Sequence, residues 1–403
     1  MEYKSKVLYI SIIGMSEPLG KSQVLEYLKY LSEEYEMYLH TFEKDTSEKT
    51  INEIQSIMDG YNIKWSYQPY DNKFGLFSTI GQMLSSSITV YRKVKVNRIN
   101  IIHARSNIPA LIALITKYLT GVKVIFDIRG FQIDEKAEIG RLKKGGLLYK
   151  FLKKIELLAY KRSNAIVSLT ENAKQLISNV TNEEKIVVIP TCANKDVFRF
   201  SPDESFKLEN GYSLTDRVII HAGTVTNWYD FDSELLLVKQ LMEKDSKIHF
   251  LILNKGEHSF ISKKVEMYNI EPSKVKIKEA DFYQMHKYLS IADASIFIIK
   301  PTFSKRASAP TKFAENLCCR LFSITNNNIG DMDAFIIKYP EVGFSFELDE
   351  IKNNIDGLSS EIIMKLQSSD KESKQYQELY DSHFTNELAV IRYSNLYKKL
   401  VNN

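Results

Sequence analysis

The feature that most constrains this chain is one pattern that occurs twice. Short β-rich runs alternate with stretches of helical periodicity, first from Lys6 to Ile189 and again from Arg217 to Thr325. In the first half Lys6–Ile12, Ile99–His103, Val122–Ile128, Ala165–Leu169 and Lys185–Ile189 read as strands. Between them Val24, Leu25, Leu28 and Leu31 recur at helical spacing, and Ile108–Leu119 reads as a helix with Pro109 in its first turn. In the second half Arg217–His221, Ile248–Leu253, Val275–Lys278, Ala294–Ile299 and Leu321–Thr325 are strand-like, with a helix near Ser233–Glu243. Such alternation predicts parallel sheets covered by helices on both faces. Two sets predict an α/β chain of two Rossmann-like, doubly wound domains. They meet near residues 192–215, where the polar stretch Ser201–Asp216 reads as a linker or a surface excursion.

A length of 403 residues fits two or three domains, and 44% apolar residues supply a core. No run of eighteen apolar residues is present to span a bilayer. The N-terminus enters a strand-like run without a signal-peptide pattern, so a cytoplasmic location is the default expectation. Cys192, Cys318 and Cys319 cannot all pair and form no CxxC, which favours buried thiols. Residues 1–195 carry 28 Lys and Arg against 20 Asp and Glu; the remainder carries 26 against 30. The first half is therefore expected to face something acidic.

In sheets of this type ligands bind beyond the carboxyl ends of the strands, so the loops after strands are the places to search. The segment Ser304–Asn316 follows the apolar run Ala294–Ile299. Pro310 suits the first turn of a helix whose free N–H groups, at Thr311 and Lys312, would meet a phosphate. Lys312 adds a cation, and the Glu315 carboxylate suits ribose or sugar hydroxyls. On residue types alone, an ordinary solvated Lys312–Glu315 pair is the better reading of the segment. Gly20, Ser22 and Gln23 open another helix, where they read either as a ligand approach or as a turn glycine with an N-cap serine. His103, Arg105 and Ser106 end one strand, and Asp127 and Arg129 end another. The last two share a face, as a structural ion pair or as site residues. Gly223 and Thr224 end the first strand of the second half; Trp228 and Tyr229 follow as packing residues or sugar platforms. No GxGxxG is present, so a dehydrogenase fingerprint is missing.

Taken in order, Ser16–Leu28, Ile101–Ala113, Phe126–Phe131, His221–Asp232 and Ser304–Asn316 resemble a bacterial branch of retaining glycosyltransferase family 4, over about Val7 to Gly343. The motifs of that branch are Pro-Leu-Gly-x-Ser-Gln, Phe-Asp-x-Arg-Gly and Ser-x-Pro-Thr-Lys-x-x-Glu. The resemblance implies a GT-B fold with two facing domains and a cleft: 1–195 for the acceptor, 196–379 for the nucleotide-sugar donor, and a helix about 380–403 returning to the first domain. It implies a metal-independent, retaining hexosyltransferase with no cofactor beyond a UDP- or GDP-linked sugar. Its acceptor would be a glycan or a lipid-linked glycan in surface polysaccharide synthesis. Lys312, Glu315, Asp127 and Arg129 would carry catalysis. Gly20, Gly223, Thr224, Lys300, Arg306, Pro310 and Thr311 would hold the donor, and Ser22, Gln23, His103, Arg105 and Ser106 would face the acceptor. The sequence departs from the family where Ala307 stands for a glutamate, where Arg320 and Asn328 stand for glycines, and where the loop after Gly223 lacks a basic pair. Lys300, Lys305, Arg306 or Lys312 would replace that pair. A nucleotide-sugar epimerase and a non-catalytic sugar or nucleotide binder are the competing readings.

Residues 141–162 hold eight basic residues and one acidic one, with Leu148, Phe151, Leu152, Ile155 and Leu158 on a helical stripe. The stripe either packs in the core or lies on an anionic membrane, the inner face being the expected one. The aromatics are not interleaved as nucleic-acid binding would need.

Overall fold

The computed structural model describes residues 4–70 and 76–402, which form two compact units: 1–190 with 386–403, and 191–385. The first holds a seven-stranded sheet in the order β3-β2-β1-β4-β5-β6-β7. Its strands are β1 (Lys6–Ser11), β2 (Glu36–Glu43), β3 (Lys64–Pro69), β4 (Ile101–Arg105), β5 (Lys123–Asp127), β6 (Ala165–Ser168) and β7 (Ile186–Val188). The second holds a six-stranded sheet in the order β10-β9-β8-β11-β12-β13. Its strands are β8 (Arg217–Ala222), β9 (Ile248–Leu253), β10 (Val275–Lys278), β11 (Ala294–Phe297), β12 (Phe322–Asn326) and β13 (Gly343–Phe346). Every strand pairing within the two sheets is parallel.

The central strands are near-continuous apolar runs because helices cover both of their faces. In β8, Val218 and Ile220 pack on one face with Leu251 and Leu253, while Ile219 packs on the other with Phe250 and Ile252. That two-residue alternation follows from the pleat. Each such side chain contributes about 1.5–3 kcal/mol by leaving water. The edge strand β3, ending at Pro69, is only partly covered, as an edge position tolerates.

The helix Asn386–Asn402 is part of the first unit. Tyr35 donates to the Ser394 carbonyl at 3.1 Å, Arg392 donates to the Val188 carbonyl at 3.0 Å, and Tyr393 and Tyr397 are buried. The polar stretch 201–216 is a folded excursion of the second unit rather than a linker. It carries the helix Glu204–Glu209, capped by the Asp203 carboxylate, and buries Tyr212 beneath the Lys276 ammonium. All three cysteines are buried and none is in a disulfide, and burial pushes the Cys318 thiol up to about 12.

The helix Leu147–Arg162 departs from the core-packing reading of its apolar stripe. Its apolar stripe does not pack inward: Leu148, Phe151 and Leu158 are exposed, with Leu147 89% exposed, and Leu152 and Ile155 are only half-buried. The covered side is Glu156, Ala159 and Tyr160, where Lys153 bridges Glu156 and Asp134. Among the described residues no helix is long and apolar enough to cross a membrane.

Candidate active site

Both sheets reverse their winding direction at one pair of strands, β1/β4 in the first and β8/β11 in the second. Loops leaving the carboxyl ends there diverge and open a crevice, the usual ligand position in doubly wound sheets.

In the first unit the loop after β1 is already occupied by an internal anion. The Glu43 carboxylate, at the end of β2, accepts from Met15 N at 2.8 Å and Ser16 N at 3.1 Å. A Cβ on Gly14 would stand 2.4 Å from Glu43 Oε2, so glycine is required for that approach. Gly20 is helical rather than in a loop, and a Cβ there would meet the Gly14 carbonyl oxygen at 2.0 Å. Ser22 donates to the Pro18 carbonyl at 3.0 Å, and Gln23 is buried beside Tyr27.

The ends of β4 and β5 bring the other predicted residues into one buried cluster. The Asp127 carboxylate is fully buried, with Arg105 at 3.7 Å, Arg129 at 3.6 Å and His103 at 3.4 Å. The Arg129 guanidinium, the His103 hydrogen bond and the Arg105 guanidinium hold Asp127 well below the usual carboxylate range despite its burial, and Asp127 holds the Arg129 guanidinium firmly protonated. The C-terminal helix closes the cluster: Tyr397 meets His103 Nδ1 at 2.6 Å and Tyr393 donates to Asp127 at 3.5 Å. Burial outweighs Asp127 at His103 and lowers its pKa. Two guanidiniums share one carboxylate here, and Arg105 Nε and Nη1 are buried without an acceptor in hydrogen-bonding geometry. Ser106 holds a φ of 80°, a region costing about 1–3 kcal/mol for a non-glycine residue. Its N–H donates to the Asp127 carbonyl at 2.9 Å.

In the second unit the loop after β8 is rigidly fastened. Gly223 has a φ of 114°, and its carbonyl accepts from Asn254 Nδ2 at 2.9 Å. Glu257 accepts from the Thr226 hydroxyl, Val225 N at 3.0 Å, Asn254 Nδ2 at 2.6 Å and the Thr224 hydroxyl at 2.9 Å, and this hydrogen bonding draws its pKa to about 2 although burial opposes it. Behind the loop His221 links the Glu234 carboxylate at 2.8 Å to the Thr224 carbonyl at 3.0 Å.

Facing this loop is the segment that leaves β11. Pro310 is the N-cap of the helix Thr311–Cys318, whose face of Phe313, Ala314, Leu317 and Cys318 packs into the core. Its first turn therefore presents Thr311 and Lys312 at the sheet's carboxyl end. Lys312 reaches back to the Gly223 loop: its Nζ lies 3.4 Å from where a Gly223 Cβ would stand and 4.0 Å from the Tyr229 ring centroid. That nitrogen is buried and has no hydrogen-bond partner. Glu315, one turn on, is half-buried, and burial pushes its carboxyl up to about 7 against the pull of Lys312. Lys305 is buried with its Nζ 3.6 Å over the Trp228 ring, Lys300 donates to the Asn227 carbonyl at 3.0 Å, and Arg306 is exposed. Ala307 is buried and supplies no carboxylate. Arg320 and Asn328 have φ values of 52° and 69°, the left-handed backbone that explains glycine as the usual residue there.

Sequence reasoning missed Glu43, Glu257, Tyr393 and Tyr397. Only Asn254 and Glu257 left a signal, an Asn-x-x-Glu spacing at a helix start after β9. Among the described residues no three His, Cys, Asp or Glu side chains stand together as a metal-ligand group.

Two parallel doubly wound units, each open at a reversal of its sheet, define a fold of the GT-B kind. Residues 22–197 match the sequence model described as Glycosyltransferase Family 4. Three solved structures illustrate the fold. A glycosyltransferase from Rickettsia africae is 18% identical with a TM-score of 0.72, each chain covered to 99%. Sucrose-phosphate synthase from Thermosynechococcus elongatus is 11% identical with a TM-score of 0.73, over 98% of this chain and 99% of that one. Anabaena HepE in complex with UDP-glucose is 10% identical with a TM-score of 0.71, over 99% and 100%. At these identities the likeness is one of fold. No curated protein matches by sequence.

Proposed function

We propose that this protein transfers a sugar from a nucleoside diphosphate donor to a glycan or lipid-linked acceptor, with retention at the transferred carbon. The observation that carries the reading is the Lys312 ammonium, buried without a hydrogen-bond partner at a helix N-terminus beside Gly223. A buried ammonium without a hydrogen-bond partner is costly unless an anion arrives to meet it. The departing diphosphate develops negative charge, and the Thr311 and Lys312 amides with the Lys312 side chain are placed to stabilise it. Glu315 takes the ribose or donor hydroxyls, and Lys300 and Arg306 line the entry. The amides after β1 already serve Glu43, which argues for putting the diphosphate in the second unit. Anabaena HepE, of the same fold, was solved with UDP-glucose, which supports a UDP-sugar as the first donor to try. For the first unit the reading keeps the acceptor, to be met by Arg105, Ser106 and Arg129 with Asp127 and His103 behind them.

The acceptor reading, a lipid-linked glycan of surface polysaccharide synthesis at a membrane surface, draws support from the helix Leu147–Arg162. Exposed Leu147, Leu148, Phe151 and Leu158 lie among exposed Lys150, Lys154, Lys161 and Arg162, an apolar strip in a cationic border.

The test is incubation with labelled UDP- and GDP-sugars and a membrane extract. Label moving to a lipid or glycan supports transfer. Isomerised donor points to an epimerase, and donor bound without turnover points to a binding protein.

A further inference from the structure

The loop after Gly223 carries no basic pair, yet it organises two cations from elsewhere. Lys312 Nζ stands 4.0 Å from the Tyr229 centroid and 6.0 Å from that of Phe297. Lys305 Nζ stands 3.6 Å over Trp228. Adjacent aromatic residues thus each hold one lysine of the segment that leaves β11.

The holders are themselves fixed. Lys300 N donates to the Trp228 carbonyl at 2.9 Å, Asp230 N donates to the Ile298 carbonyl at 2.8 Å, and Tyr229 and Ile299 form an antiparallel bridge. The two rings are therefore tied to the strand extension from which the lysine-bearing segment departs. Glu257 and Asn254 fasten the other end of the loop.

We infer that Trp228 and Tyr229 are positioning residues that aim Lys305 and Lys312 at the diphosphate of the donor. The inference rests on the donor site proposed above. The chemistry favours aromatic rings in this role. A ring face attracts the ammonium through its quadrupole, worth about 0.5–2 kcal/mol, and leaves the charge intact. It also limits the rotamers of a side chain that otherwise loses substantial entropy on binding.

The experiment compares the wild type with Tyr229→Phe, Tyr229→Leu and Trp228→Leu. The probes are whichever of UDP and GDP binds the wild type more tightly, and the corresponding nucleoside. Calorimetry reads the diphosphate and saturation-transfer NMR the nucleoside. The leucine variants are expected to lose roughly 2- to 30-fold in diphosphate affinity, the range set by a cation–π contact, with nucleoside binding unchanged. Tyr229→Phe keeps the ring face and should match the wild type. Should the leucine variants fail to fold, multiply fluorinated tryptophan keeps the shape of Trp228 and depletes its ring face. The chain has only two tryptophans, and Trp65 is in the other unit; diphosphate affinity should again fall. Unchanged diphosphate affinity in these proteins, or equal losses for nucleoside and diphosphate, would overturn the inference. A wild type that binds neither diphosphate would instead sink the donor site itself.

Discussion

Glu43 reaches the backbone at Gly14 so closely that a methyl group on that glycine would lie 2.4 Å from the carboxylate. The first glycine loop is thereby closed by an acid from the neighbouring strand. Its architecture resembles a phosphate loop, and its amides serve an internal anion.

Gly14→Ala should therefore destabilise the first unit by about 1–3 kcal/mol, because its methyl would also lie 2.8 Å from the Phe42 carbonyl oxygen, a backbone atom. Gly20→Ala should cost at least as much, because its new methyl would lie 2.0 Å from a backbone oxygen that cannot swing away. Denaturant titration of both variants checks this. Wild-type midpoints would show that the loop gives way easily.

Lys312→Met keeps the aliphatic stem and removes the buried ammonium, which has no hydrogen-bond partner. Thermal stability should hold or rise. Turnover should fall about 100-fold or more, the usual cost of one charge-stabilising group at a leaving oxyanion. Near-normal turnover at saturating donor would show that the diphosphate binds elsewhere.

Glu315 titrates at about 7 in the folded protein, above the ordinary carboxyl value of 4.5. A raised carboxyl pKa favours folding at low pH, and that contribution is lost as pH rises from about 4.5 through 7. The ionised side chain is half-buried, which limits the penalty to about 1–3 kcal/mol. Glu315→Gln should thus gain stability over the wild type as pH is raised from 5 to 8. A difference that stays flat in melts across that window would contradict the buried-carboxyl assignment.

Arg320 and Asn328 sit in left-handed backbone with side chains attached. Asn328→Gly should be neutral or stabilising by up to about 1 kcal/mol, and Asn328→Val destabilising by about 1–2. Arg320→Gly gains the same relief but gives up an exposed ion pair with Glu372, so its net change should stay within about 1 kcal/mol. Unfolding midpoints for the three variants measure these differences.

Phe151→Ser with Leu148→Ser should leave stability unchanged, because both side chains are exposed. The double variant should lose binding to vesicles containing phosphatidylglycerol, while pure phosphatidylcholine vesicles should bind neither protein well. Equal cosedimentation of wild type and variant would remove the membrane from the proposal.

The doubled strand–helix rhythm was readable in the sequence because both determinants are local: runs of Val, Ile and Phe for buried strands, and 3.6-residue spacing for the helices between them. The helix start at Pro310 was readable for the same reason, since a proline ahead of a helical run marks a helix beginning wherever it occurs. What lay beyond the sequence was decided by side chains meeting across long separations. Glu43 closes the Gly14 loop from the next strand, Tyr393 and Tyr397 seal Asp127 from the last helix, and Trp228 and Tyr229 lie under cations more than seventy residues further on. The helix Leu147–Arg162 shows the same limit from the other side. Its periodicity marks an apolar stripe, but only packing determines which side of a helix turns inward, and there the Lys153 bridge between Glu156 and Asp134 takes the covered side.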